Sequence, residues 1–122
     1  MAKEYTPDLQ KLFLEMMMQD AQNYVRVQNI FNPENFDRSL KDTATFIAEH
    51  SAKHATLPTY EMVKASVGVE LKPIPDMLDG HNDWFMAEFE GFTKRQELER
   101  AILKSADMLE KGEYDPVEKL IK

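Results

Sequence analysis

The sequence predicts an all-α protein: a small helical bundle with a long C-terminal helix forming part of a protruding helical hairpin. Three observations predict it. Apolar residues recur at helical spacing in successive segments, several segments open on a capping residue followed by proline, and one proline-free run occupies residues 82–111. That run, NDWFMAEFEGFTKRQELERAILKSADMLEK, starts on Asn82 as a side-chain cap, carries acids in its first turns and is followed by Gly112. As one helix it would be about 45 Å long at 1.5 Å per residue, more than a small bundle needs for its own core. Part of it is therefore expected to project towards another surface.

Within this helix Phe85, Phe89 and Phe92 share one side. Leu98, Ile102 and Leu109 continue an apolar stripe after the polar run Thr93, Lys94, Arg95, Gln96 and Glu97, which divides the helix into two packing segments. Gly91, about 1 kcal/mol less favourable than Ala inside a helix, sits near that division, where it suits close approach of another helix or a bend. The alternative is that both stripes are core.

The elements before it follow from local signals. Thr6 caps and Pro7 opens a first helix, with Leu9, Leu12, Phe13, Met16 and Met17 at helical spacing, running to about Gln19. Asp20 caps a second, short helix carrying Tyr24, Val25, Val27 and Ile30, and the pair forms a helical corner. Met16, Met17 and Met18 cannot all share one face, so two are expected in the core and one outside. Asn32, Pro33 and Glu34 form a cap and first turn, leading through Phe36 into a third helix over about 37–53 with Leu40, Ala44, Ile47 and Phe46 on its apolar side. Leu57, Pro58 and Thr59 break the chain and restart it as a short helix with Tyr60, Met62, Val63 and Val67, stopped by Gly68. Residues 69–80, with two prolines and little periodicity, are expected to be an ordered loop. Tyr114, Asp115 and Pro116 begin a last helix.

Residues 1–81 are thus expected to form a globular helical bundle, and 82–122 the long helix and the start of a second hairpin or linker helix, within one domain overall. The late start of that last helix suggests the N-terminal piece of a longer chain. A short terminal helix docking through Val117, Leu120 and Ile121 is the alternative.

A chain of 122 residues with 43% apolar content is large enough to bury a modest core without metal or disulfide. It has no cysteine, which excludes a disulfide framework and thiolate metal sites. No apolar run approaches the length of a membrane span and the N-terminus has no signal-peptide core, so a soluble intracellular protein is expected. The net charge of −7 argues against a free-standing nucleic-acid binder, since affinity for a phosphate backbone comes mainly from Lys and Arg. Contact with other proteins fits that balance better.

Catalytic chemistry finds little support. His50 and His54, four apart on a helix, could face one metal, but Ser51, Ala52 and Lys53 between them lack the metalloprotease glutamate and no third ligand is placed. His81 beside Asp79 and Asp83 does not match a calcium loop; helix entry explains it. Glu88, Glu90, Glu97 and Glu99, near Lys94, Arg95 and Arg100, read as a solvated helix face. There is no phosphate-binding glycine loop. No catalytic, cofactor or metal residue is expected.

The two-helix start, Phe36, Asp37 and Arg38 leading into a helix, the break at Leu57, Pro58 and Thr59, Trp84 opening a long helix with Phe92, Arg95, Leu98 and Ile102, and finally Asp115, Pro116, Lys119, Leu120 and Ile121 resemble the N-terminal domain of DnaB-like replicative DNA helicases of the tailed-phage type. The resemblance covers nearly the whole chain, without a diagnostic motif. It implies a non-catalytic collar domain in a hexameric ring around single-stranded DNA, self-associating as a dimer or hexamer and docking primase or a helicase loader. ATP and magnesium would bind a separate ATPase domain, the chain having no cofactor of its own. Localisation would be cytoplasmic, in a bacterium or a phage-infected host cell. Leu98, Ile102 and Leu109 would be dimer contacts, with Leu120 on the following helix, while Phe85 and Phe89 pack into the globular part. The alternative is a stand-alone helical adaptor or regulator binding one protein partner.

Overall fold

The computed structural model describes residues 4–110. Among these, five α-helices and one 3-10 turn are formed and no strand: α1 (Pro7–Gln19), α2 (Ala21–Val27), the 3-10 turn Pro33–Asn35, α3 (Arg38–His54), α4 (Tyr60–Val67) and α5 (Asp79–Glu110). The expected last helix, with Leu120, lies outside the described residues.

Side-chain caps set most of the boundaries. Thr6 accepts the Leu9 amide at 3.2 Å, Asp20 the Gln22 amide at 3.0 Å, Asn32 the Glu34 amide at 3.0 Å, Asp37 the Ser39 amide at 3.0 Å and Thr59 the Met62 amide at 3.1 Å. Each satisfies a helix N–H that has no carbonyl partner within its own turn. Gly68 ends α4 at φ 74°, a left-handed conformation that glycine adopts without a Cβ penalty. Ala55 ends α3 in the same conformation at φ 58°, with a Cβ.

The start of α5 differs from the sequence expectation. Asn82 does not cap it; the helix begins at Asp79, with the Leu78 carbonyl accepting from the His81 and Asn82 amides at 2.9 and 3.3 Å. His81 Nδ1 accepts the Leu78 amide at 3.0 Å, so the side chain at the third helical position reaches back to the entry residue. Asn82, freed from capping, bonds to other elements: its Oδ1 accepts from Asn23 Nδ2 at 2.9 Å and its Nδ2 donates to Asp20 Oδ2 at 3.3 Å. It fastens α5 to the α1–α2 corner.

The core is aromatic at its centre. Phe13 on α1 is fully buried and meets Phe85, Phe89 and Phe92 of α5 with ring centroids 6.0, 5.7 and 5.6 Å away, while Phe31 and Phe36 close the cluster from the 3-10 region. Edge and tilted contacts of this kind add to the burial term. Leu14, Met16, Met17, Val27, Leu40, Ala44, Ile47 and Val63 fill the rest, and Met18 is only half-buried. Two of the three methionines are core as expected, but Met18 is not outside: it packs half-buried against the core, while Leu40, Ala44 and Ile47 form the expected apolar side of α3.

The segment 69–78 is a loop, pinned along α1 by its backbone. The Lys72 amide donates to Glu15 Oε2 at 2.7 Å and the Ile74 amide to Gln19 Oε1 at 2.9 Å, while Leu71 is buried. These side chains stand in for the strand partner the segment lacks. No helix among the described residues is long and apolar enough to cross a membrane.

Candidate interaction surfaces

The exposure of the long helix's large apolar side chains changes at about Gln96. Gln96 Nε2 donates to the Asn35 carbonyl at 2.7 Å, tying the middle of the helix to the 3-10 turn. From there 97–110 continues for about 21 Å. Leu98, Ile102, Leu103 and Leu109 are 61, 58, 70 and 48% exposed, against 0–1% for Phe85, Phe89 and Phe92. Ser105 is buried on this half.

Helix geometry explains the contrast. At about 100° per residue, Leu98, Ile102 and Leu109 fall within a narrow arc that lies about 130° around the helix from the three phenylalanines. The second stripe therefore does not prolong the core face; it points elsewhere. Leu103 lies on the phenylalanine side, beyond the end of the bundle. The sequence reading missed Leu103, and the signal available was its position seven residues after Gln96, on the core-facing side. Leu98, Ile102 and Leu109 are brought together on one exposed face.

Charge along this half is mixed. Lys94 and Arg95 precede it, and within 97–110 Arg100 and Lys104 stand against Glu97, Glu99, Asp107 and Glu110, in a chain whose net charge is −7. Arg95 Nε and Glu99 Oε1 are 3.5 Å apart, an i,i+4 surface pair of the kind that adds only tenths of a kcal/mol. The carboxylates here are helix-surface groups.

A second surface was not anticipated. Leu12 and Met16 of α1, Ile74 and Met77 of the loop, and His81 and Trp84 of α5 line an open apolar groove of about 240 Å³. Trp84 is 41% exposed, with its ring 6.5 Å from that of Phe13. A cleft of about 360 Å³ between α2 and the end of α3 is lined by Tyr24, Val25, Ser51 and Leu57 among others. Burial pushes the Tyr24 hydroxyl above its ordinary pKa, with a bond to Ser51 opposing that shift. Burial also raises Tyr60, with the Glu15 charge adding to it.

The imidazoles of His50 and His54 do come together, at 4.6 Å between centroids, with the Phe46 ring tilted against His50 at 5.8 Å. Among the described residues no group of three His, Cys, Asp or Glu could hold a metal ion. No family model, no curated protein and no solved structure matches this chain.

Proposed function

We propose that this chain is a non-catalytic helical interaction domain whose distal α5 pairs with a second copy, in the manner of the collar domain of a DnaB-like hexameric replicative helicase. The observation that carries the reading is the face formed by Leu98, Ile102 and Leu109. It holds three large apolar side chains exposed to water, and it is turned away from the core that the same helix builds. Such a face lowers its free energy by covering itself, and Arg100 and Lys104 give the arm cations that the acids of a second copy can meet. In that role the bundle anchors the helix and the arm assembles the ring, onto which a primase or helicase loader docks. Single-stranded DNA would be held by the ring, and ATP and magnesium by an ATPase domain.

The test is molar mass in solution by size-exclusion chromatography with light scattering across a concentration series, for the native chain and for Ile102→Asp. A native mass of two or more copies that falls to one in the variant, with helical content by circular dichroism retained, supports the reading. A native chain monomeric at every concentration, or a variant of unchanged mass, refutes it.

A further inference from the structure

We infer that His50 and His54, near the C-terminal end of α3, form a two-histidine site for a divalent transition-metal ion, nickel(II) or copper(II), whose other positions are filled by water. The inference is independent of pairing through the distal arm of α5.

Position brings the two side chains together. Residues four apart lie one above the other on a helix, and α3 runs unbroken from Arg38 to His54, so both imidazoles stand on one side of it. Phe46, one further turn back, packs against the core and sets its ring against His50 at 5.8 Å, which limits where His50 can turn. His50 is half-buried and His54 exposed, so an ion reaches the pair from solvent. No hydrogen bond among the described residues engages either imidazole, which leaves a nitrogen lone pair on each for a ligand.

Distance selects the geometry. With metal–nitrogen bonds of about 2.1 Å, two imidazoles on adjacent corners of a square-planar or octahedral ion have ring centroids about 4.5 Å apart, and on a tetrahedral ion about 5.2 Å. The observed separation is 4.6 Å. Right-angled coordination is that of copper(II) and nickel(II), whereas zinc in protein sites is mostly tetrahedral. The rings are inclined at 47°, and the terminal side-chain torsion of histidine is soft enough to aim one nitrogen of each at a common point.

Donor type and charge narrow the ion further. The pair offers imidazole nitrogen alone, and among the described residues no third His, Cys, Asp or Glu completes a group with it. Magnesium and calcium, which need oxygen ligands, do not fit such a donor set. The last turn of α3 presents the negative end of the helix dipole, which favours a cation there. Lys53, in the same turn, is the opposing charge and lies about 80° around the helix from the pair.

The test is calorimetric titration of the full chain with nickel(II) chloride at pH 7.5, in a buffer that does not bind metal. One ion per chain is expected, with affinity falling about tenfold or more in His50→Gln and in His54→Gln, as two ligands become one. A third variant, His54→Gln with Ala52→His, keeps the number of histidines but sets the second about 160° around the helix from His50, and should bind no better than His54→Gln. Circular dichroism checks that each variant is folded. Zinc(II) should bind the native chain no more tightly than nickel(II). Absence of saturable nickel binding, native affinity in either single variant or in the rearranged one, or zinc bound more tightly than nickel overturns the proposal.

Discussion

A Cβ built on Gly91 would lie 2.6 Å from the hydroxyl of Tyr5, so the segment preceding α1 lies against α5 where α5 has no side chain. The helix runs through this position without a break, and the approaching group is a tyrosine hydroxyl rather than another helix. The Tyr5 ring is held by Phe92 at 5.5 Å and Phe13 at 6.5 Å. Two effects therefore oppose each other in Gly91→Ala: a gain of about 1 kcal/mol in helix propensity and the displacement of the Tyr5 hydroxyl. The expected outcome is a Gly91→Ala chain little more stable than the native one, but a gain of about 1 kcal/mol when the same change is made in Tyr5→Phe, where the clashing oxygen is gone. Urea denaturation of the four proteins of this cycle measures the coupling. Equal effects in both backgrounds would show that Tyr5 does not restrain Gly91.

Ala55 offers a stabilising substitution. Its φ of 58° closes α3 in a region where an L-residue carries a penalty of about 1 kcal/mol, while its amide still bonds to the Ser51 carbonyl at 2.9 Å. Ala55→Gly should raise stability by about 0.5–1 kcal/mol, seen as a higher urea midpoint with unchanged slope. Part of the gain is offset by the greater freedom of glycine in the unfolded chain, so an increase well above that range is not expected.

The pattern of what the sequence revealed follows from the range of the interactions involved. Caps at Thr6, Asp20 and Asn32 act over two or three residues and were legible from their own neighbours, while Asp37 and Thr59 act over the same range but were read only as a helix start and a chain break. Asn82 carried the same local signal but acts over about sixty residues through Asn23 and Asp20, which no local rule encodes. Leu71 lies buried in a loop without periodicity, because Glu15 and Gln19 of α1 hold the loop backbone. The stripe of Leu98, Ile102 and Leu109 was legible as a stripe, and the groove was not. Its six lining residues come from three elements whose juxtaposition only the fold supplies.

The Asn82 tie has a charge-dependent test. Asn82→Ala removes one partner of the buried Asn23 amide, which keeps the Met16 carbonyl at 3.1 Å, and should destabilise by about 1 kcal/mol. Asn82→Asp keeps the acceptor for Asn23 but places a second carboxylate where Asn82 Nδ2 now donates to Asp20. Its loss should exceed that of the alanine variant at pH 7. Thermal unfolding of both variants decides; an aspartate variant as stable as native would contradict the contact.

Asp37 supplies a stability contribution with a defined sign. The Ser39 hydroxyl at 2.6 Å, and then the Ser39 amide at 3.0 Å, hold its carboxyl below the usual carboxylate range. A folded-state value below the unfolded one means the contribution is present above about pH 4 and is lost as the pH falls through the folded value. Asp37→Ala should therefore destabilise by about 1 kcal/mol at neutral pH, the usual worth of an N-cap, with the difference from native closing towards pH 2. Asp37→Asn keeps a capping oxygen that does not titrate, so its difference from native should move in favour of the variant as pH falls. Urea midpoints from pH 7 to pH 2 give both comparisons, and parallel curves for all three proteins would contradict the assignment.

The two halves of α5 should respond to truncation in different currencies. Phe89 is 1% exposed and touches the rings of Phe13, Phe31, Phe36, Phe85 and Phe92, so Phe89→Ala leaves a cavity in the centre of the bundle. A loss of about 3–5 kcal/mol is expected, at every protein concentration. Ile102 is 58% exposed, and Ile102→Ala should change the stability of the monomer by no more than about 0.5 kcal/mol. If the arm pairs with a second copy, the native chain gains stability with concentration by mass action and the alanine variant gains less. The gap between them should therefore open as concentration rises. Urea unfolding at two concentrations a hundredfold apart measures it, and a gap that stays constant while Phe89→Ala behaves as expected would place the Ile102 face outside any self-association.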